Sequence, residues 1–134
     1  LMPGTADTFW RGVAAAVARG KRTLIVAEDA GGAIVGTVQL ITDMPPNQPH
    51  RADVAKLLVH RRTRGSGVGR RLMEAVHESA RLQGRTLLVL DTGSATAERL
   101  YERLGWQRAG VVPDYALLPD GALCSTTFFY KRLP

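Results

Sequence analysis

The chain has 134 residues, 45% apolar and 22% charged, which is ordinary for one globular domain with a real core. Its single cysteine, Cys124, excludes an internal disulfide, and no apolar run is long enough for a membrane span or a signal-like start, so a reducing cytoplasm is the simplest compartment. Eighteen basic residues against twelve carboxylates suit a polyanionic ligand, whereas His50, His60 and His77 are too scattered for metal-ligand spacing, so no metal is expected.

Phe9, Trp10, Val13, Ala16 and Val17 recur at helical spacing after a Thr5 or Asp7 cap, predicting an amphipathic helix that ends near Gly20. Strands over 23–28 and 34–41 flank Asp29-Ala-Gly-Gly32, a hairpin turn. Three prolines in 44–49 then predict a semi-extended surface loop, either a cover for substrate or a passive connector. A strand over 53–59 leads into a glycine turn, and a helix over 67–82 buries Val68, Leu72, Val76 and Ala80. The apolar run 86–90, ending in Asp91 and Thr92, reads as an interior strand covered on both faces, so strand, helix and strand make a parallel crossover. A helix carrying Ala97, Leu100, Tyr101 and Leu104 on one stripe stops at Gly105. Strands over 107–116 and 123–131, joined by Leu118-Pro-Asp-Gly121, should form an antiparallel edge.

The glycine turn is the main chemical signal. In Arg64-Gly65-Ser66-Gly67-Val68-Gly69-Arg70, glycines allow a ligand to approach backbone amides at a helix start, and Arg61, Arg62, Arg64, Arg70 and Arg71 add full charges. A pyrophosphate is the expected guest. The ATP-binding pattern fails for want of a lysine after a glycine in the required frame. A dinucleotide fingerprint fits Gly65 and Gly67 but meets Arg70 where a third small residue belongs; Asp91, about twenty residues on, keeps that rival open. Nucleic acid is a rival of another class, because arginine patches also neutralise phosphate backbones; no recognisable DNA- or RNA-binding motif and few aromatics near the cluster weigh against it.

Arg64-x-x-Gly67-x-Gly69 resembles motif A of the GNAT superfamily of N-acetyltransferases, and Ser94-Ala-Thr-Ala97-Glu-Arg-Leu100-Tyr101-Glu-Arg-Leu104-Gly105-Trp106 is similar to its motif B. Ser94 stands where that family has asparagine, and Trp106 where it has phenylalanine. The resemblance implies an α/β (α+β) fold, a mixed and mostly antiparallel sheet around a central parallel β-α-β unit. It also implies one acetyltransferase domain over 1–134 lacking the family's N-terminal strand and helix.

The resemblance further implies acetyl-CoA as cosubstrate, with no metal, bound by Leu57, Leu58 and Val59, by the turn residues Arg64, Gly65, Ser66, Gly67, Val68, Gly69 and Arg70, and by Ser94. Tyr101 takes the family's place beside the coenzyme sulfur as general acid; read as an isolated residue, it is instead a core aromatic whose hydroxyl is tied to the backbone, and only the two motifs in order favour the acid. Asp91 is the candidate for holding or deprotonating the amine, with a helix cap through Asp91 or Thr92 as the other reading. Glu28 and Asp114 are weaker candidates for that role.

The segment 105–121 is similar to a bacterial branch that includes tabtoxin-resistance acetyltransferases. That implies the primary amine of a small amino-acid-like toxin or antibiotic as acceptor, with Trp10, Asp91 and Tyr115 near it, and leaves a protein or peptide amine as the alternative. No membrane or nucleic-acid partner is expected, and a homodimer is left open.

Overall fold

The computed structural model describes residues 17–134. Its elements are β1 (Arg22–Glu28), β2 (Ile34–Ile41), β3 (Arg51–Val59), α1 (Val68–Leu82), β4 (Leu87–Thr92), α2 (Ala95–Arg103), β5 (Gln107–Leu117) and β6 (Leu123–Arg132). The predicted N-terminal helix, with Trp10, lies outside the described residues; Gly20, expected to end it, has φ +73° and donates its N–H to the Val17 carbonyl at 3.0 Å. Among the described residues no helix is long and apolar enough to cross a membrane.

All six strands form one sheet in the order β1-β2-β3-β4-β6-β5, antiparallel except where β3 meets β4. The hairpin after β1 closes as its sequence predicts, with Asp29 Oδ1 accepting from the amides of Gly31 and Ala33, each at 2.9 Å. Helices α1 and α2 share one core on one side of the sheet, where Leu72, Met73, Val76 and Tyr101 pack with Val38, Leu88, Leu90 and Phe129.

Three expectations need correction. Val68 is only half-buried and Met73 is fully buried, because α1 is rotated so that Met73 faces the sheet. Strand β4 buries Leu88 and Leu90 but leaves Leu87 and Val89 half-buried and Asp91 exposed, since both described helices lie on one face. The two C-terminal strands pair antiparallel as expected, but of the two only β5 is an edge: β6 pairs with β4 and β5 at once, and all eleven residues of β5 are exposed. The proline loop precedes β3 and the glycine turn follows it, so about 27 Å of extended strand separates them. The loop is therefore a connector at the far end of the sheet, tied to β4 where the amides of Thr86 and Leu87 donate to the His50 carbonyl.

Candidate active site

Parallel pairing of β3 with β4 stops early. It joins Arg51 to Leu87, Ala52 to Leu88 and Asp53 to Val89, and nothing beyond. From Val54 onward β3 keeps β2 as its neighbour, and from Leu90 onward β4 keeps β6, so the sheet opens into a wedge at the C-terminal ends of the two parallel strands. A crevice outside the carboxyl ends of parallel strands is where α/β sheets bind ligands.

A bulge shapes one wall of the wedge. Gln39 pairs with Ala55 and Thr37 with Leu58, so Lys56 and Leu57 together face Val38, and Lys56 takes φ +56°. The extra residue switches which face the side chains occupy. Ala52 and Val54 point into the core before it; after it Leu57 and Val59 pack against the core while Leu58, 52% exposed, points away. Sequence reasoning missed the bulge, although this change of parity around Lys56 was its signal.

The glycine turn follows directly. His60 starts a short 3₁₀ turn, Arg61–Thr63, with its Nδ1 accepting from the Arg62 amide at 3.1 Å. Gly65 and Gly67 then adopt φ +82° and +86°, a left-handed pair that turns the chain into α1. Gly69 matters for packing instead. A Cβ there would lie 3.4 Å from Leu100 Cδ2 and 3.7 Å from Val59 Cγ2, so a methyl fits in ordinary contact but a larger side chain would press on β3 and α2. The first intrahelical bond is donated by Arg71 to the Gly67 carbonyl, and among the described residues the amides of Gly65, Gly67, Val68, Gly69 and Arg70 have no protein acceptor. Ser66 is turned inward, its hydroxyl donating to the Thr63 carbonyl.

Of the five arginines, Arg62 pairs with Asp29 at 2.8 Å and Arg70 with Glu74 at 3.0 Å; Arg61, Arg64 and Arg71 make no ion pair among the described residues. An amide nest at a helix N-terminus, flanked by unpaired guanidiniums, is complementary to a diphosphate.

Beyond the end of the wedge's β4 wall the chain runs through Asp91 and Ser94 into the helix that carries Tyr101. Ser94 is the N-cap of α2, its Oγ accepting from the Ala97 amide at 3.2 Å, while Thr92 Oγ1 accepts from the Ser94 amide at 3.1 Å. Asp91 is therefore not the cap. Its Oδ2 instead accepts a hydrogen bond from Thr126 Oγ1 at 2.7 Å. Sequence reasoning missed Thr126, which is 35 residues away and reaches Asp91 only through the sheet.

Tyr101 is 5% exposed, its ring centroid 5.9 Å from that of Phe129 and 6.0 Å from that of Trp106. Its hydroxyl has no hydrogen-bond partner among the described residues, which removes the reading of a phenol tied to the backbone. Burial, and after it the negative charge of Asp91, push the phenol up to about 12. Just beyond, Gly105 at φ +87° closes α2: its amide donates to the Glu102 carbonyl, Trp106 donates to Tyr101, and Lys131 Nζ to Leu104. Tyr115 lies on β5, 51% exposed, its ring edge-on to Phe128 at 5.7 Å. Glu28 and Asp114 are exposed, at the end of β1 and on a left-handed kink in β5. Among the described residues no group of three or more His, Cys, Asp or Glu is gathered as a metal site.

Trp106, which packs on Tyr101, is anchored by donating Nε1–H to His77 Nε2 at 3.2 Å. That bond needs a neutral imidazole, and burial together with the Lys131 charge lowers His77 to about 4. A base with a lowered folded pKa contributes stability that is fully present above its unfolded value of 6.5 and is lost as pH falls from there to about 4. Thermal unfolding of the parent should therefore weaken across that window more than that of His77→Gln, which keeps an acceptor and does not titrate. Parallel pH curves for the two proteins would show that His77 contributes nothing to this acid sensitivity.

Residues 20–108 match the family model for the acetyltransferase (GNAT) domain. Over 93 residues the chain is 34% identical to an L-methionine sulfoximine/L-methionine sulfone acetyltransferase of Pseudomonas paraeruginosa, a match covering 67% of this chain and 54% of that protein. The chain thus spans about half the length of the curated relatives it matches. A putative acetyltransferase from Salmonella typhimurium, solved with acetyl-CoA, superposes at TM-score 0.82 with 21% identity over 96% of this chain and 73% of that one. A putative phosphinothricin N-acetyltransferase superposes at 0.76 with 25% identity, over 85% and 73%. Among the described residues the sheet holds one parallel strand pair rather than the run of parallel strands that a dinucleotide-binding sheet requires. With the wedge, the glycine turn and the Tyr101 helix in their expected order and a family model covering most of its length, the chain belongs to the GNAT acetyltransferase family.

Proposed function

We propose that this chain forms the acetyl-CoA-binding and catalytic part of an N-acetyltransferase whose acceptor is the primary amine of a small amino-acid-like molecule. The observation that carries the reading is the wedge itself: β3 and β4 part after Asp53 and Val89, next to five turn and helix-start amides without acceptors among the described residues. Those amides, with Arg64 and its neighbours, would hold the diphosphate, and the backbone of Leu57, Leu58 and Val59 would hold the pantetheine and thioester in extended form. Ser94 contributes the start of α2 rather than a free hydroxyl, since that hydroxyl is already the cap. The relatives that act on methionine sulfoximine support a small, amino-acid-like acceptor.

The chemistry follows from the groups at the wedge. An alkyl amine arrives as ammonium, and Asp91 takes one proton from it. The nitrogen lone pair then forms the C–N bond at the thioester carbon, the C–S bond breaks with its electron pair going to sulfur, and the second proton lost by nitrogen is passed to that sulfur, so the products are an acetamide and a thiol with the first proton on Asp91. Tyr101 donates a hydrogen bond to the departing sulfur. With the phenol at about 12 and a thiol at about 8.5, full transfer is uphill by about 5 kcal/mol, so Tyr101 is a poor acid at rest. The proton gained by Asp91 cancels part of what holds the phenol up, so Tyr101 becomes a better donor as the thiolate leaves.

Coenzyme A and acetyl-CoA should each raise the melting temperature by mass action, and NAD should not. A shift with NAD and none with coenzyme A would remove the reading, and a shift only with DNA or RNA would favour a nucleic-acid-binding module. The acceptor class is tested by thiol release from acetyl-CoA with L-methionine sulfoximine, spermidine, kanamycin and a peptide N-terminus as amines; turnover confined to the peptide would make the protein N-acetyltransferase reading the correct one.

A further inference from the structure

We infer that Thr126 is a positioning residue for the acceptor amine, acting through Asp91. This rests on the acetyltransferase reading above and adds to its machinery a residue that is neither in the glycine turn nor on the Tyr101 helix.

Asp91 pairs across the β4–β6 ladder with Phe128. Two residues along a strand return the side chain to the same face, so Thr126 stands diagonal to Asp91, within reach of a short side chain. Its Oγ1 donates to Asp91 Oδ2 at 2.7 Å. The two partners have opposite environments: Thr126 is 5% exposed, whereas Asp91 faces solvent at the mouth of the wedge. A buried hydroxyl needs an acceptor, and here the acceptor is one oxygen of a solvent-facing carboxylate. The other oxygen, Oδ1, has no partner among the described residues.

That arrangement orients as well as stabilises. Asp91 lies two residues beyond Val89, the last residue of β4 paired to β3, so its β3 side opens onto the wedge. Thr126 fixes one oxygen and so restricts the carboxylate to a single rotamer, presenting Oδ1 to an ammonium entering from that side. An exposed aspartate without such a tether samples several rotamers, and each encounter must then order it again.

The experiment uses the complete chain with acetyl-CoA and L-methionine sulfoximine, comparing Thr126→Val, Thr126→Ser, Asp91→Asn and the Thr126→Val/Asp91→Asn double variant. Valine keeps the shape and removes the donor, so kcat/KM for the amine should fall about ten- to a hundredfold while the KM for acetyl-CoA and the thermal shift with coenzyme A stay at parent values. Serine should recover most of the loss. On the Asp91→Asn background the valine should add little, because the residue it acts through is already altered.

Parent-like kcat/KM in a folded Thr126→Val, or the same fold-loss with and without Asp91, would overturn the inference while leaving the acetyltransferase reading intact. If valine prevents folding, Thr126→Ala carries the same comparison against Thr126→Ser. A parent that binds coenzyme A but acetylates no amine in the panel would instead overturn the acceptor reading, and the role of Thr126 with it.

Discussion

Replacing Tyr101 by phenylalanine is expected to lower kcat about ten- to a thousandfold while folding and acetyl-CoA affinity remain near the parent's. The ring supplies the packing, edge-on to Phe129 and tilted on Trp106, and phenylalanine keeps it. The hydroxyl makes no hydrogen bond among the described residues, so its removal leaves none of them unpaired. What is lost is a donor near the charge of Asp91.

Asp91→Asn belongs beside it across pH. If the carboxylate takes the amine proton, the asparagine variant should lose most near neutral pH and recover partly in alkali, where free amine forms unaided. It should also bring the phenol below about 12, because one of the two causes of its elevation is gone while burial remains. An unchanged kcat in Tyr101→Phe, with chemistry shown to limit the rate, would exclude the donor role; an Asp91→Asn loss that is equal at every pH would exclude the base.

Gly67→Val should produce the second large effect, a loss of acetyl-CoA affinity of about a hundredfold or more measured by calorimetry. The cause is backbone geometry: a Cβ at Gly67 would meet nothing within 4 Å, but φ +86° is a conformation that a β-branched residue resists. The turn would rearrange, and the amides of Gly67, Val68 and Gly69 would no longer converge on one anion. Gly69→Val should act by another route. Its added carbons press on Leu100 and Val59 and push α1 from β3, so thermal stability should fall together with affinity. Gly69→Ala, whose Cβ sits at ordinary contact distance, should be tolerated. Arg64→Ala should lose less than either valine variant, since other guanidiniums remain around the turn. If Gly67→Val bound acetyl-CoA like the parent, the turn would serve the fold alone.

The features legible in the sequence are those whose causes are local. Tyr101 had to face the core because Ala97, Leu100 and Leu104 share its stripe, and α2 had to stop where Gly105 accepts a left-handed conformation. The turn at 65–67 needed glycine wherever φ is positive, and the β3-α1-β4 crossover followed from two apolar strands around one amphipathic helix. Those local rules determined the element order, the glycine turn and the position of the tyrosine.

Tertiary structure decided what local rules leave degenerate. Ser94, Thr92 and Asp91 are all good caps by type; only the path of the chain after β4 gave the cap to Ser94 and freed Asp91. The bulge at Lys56 exists because β3 must keep its pairing with β2 while turning Leu57 and Val59 to the core. The parting of β3 from β4 after three paired residues, and the meeting of Thr126 with Asp91 across β6, depend on which strand lies beside which. Strand order sums many non-local contacts, and no single segment of this sequence carries it.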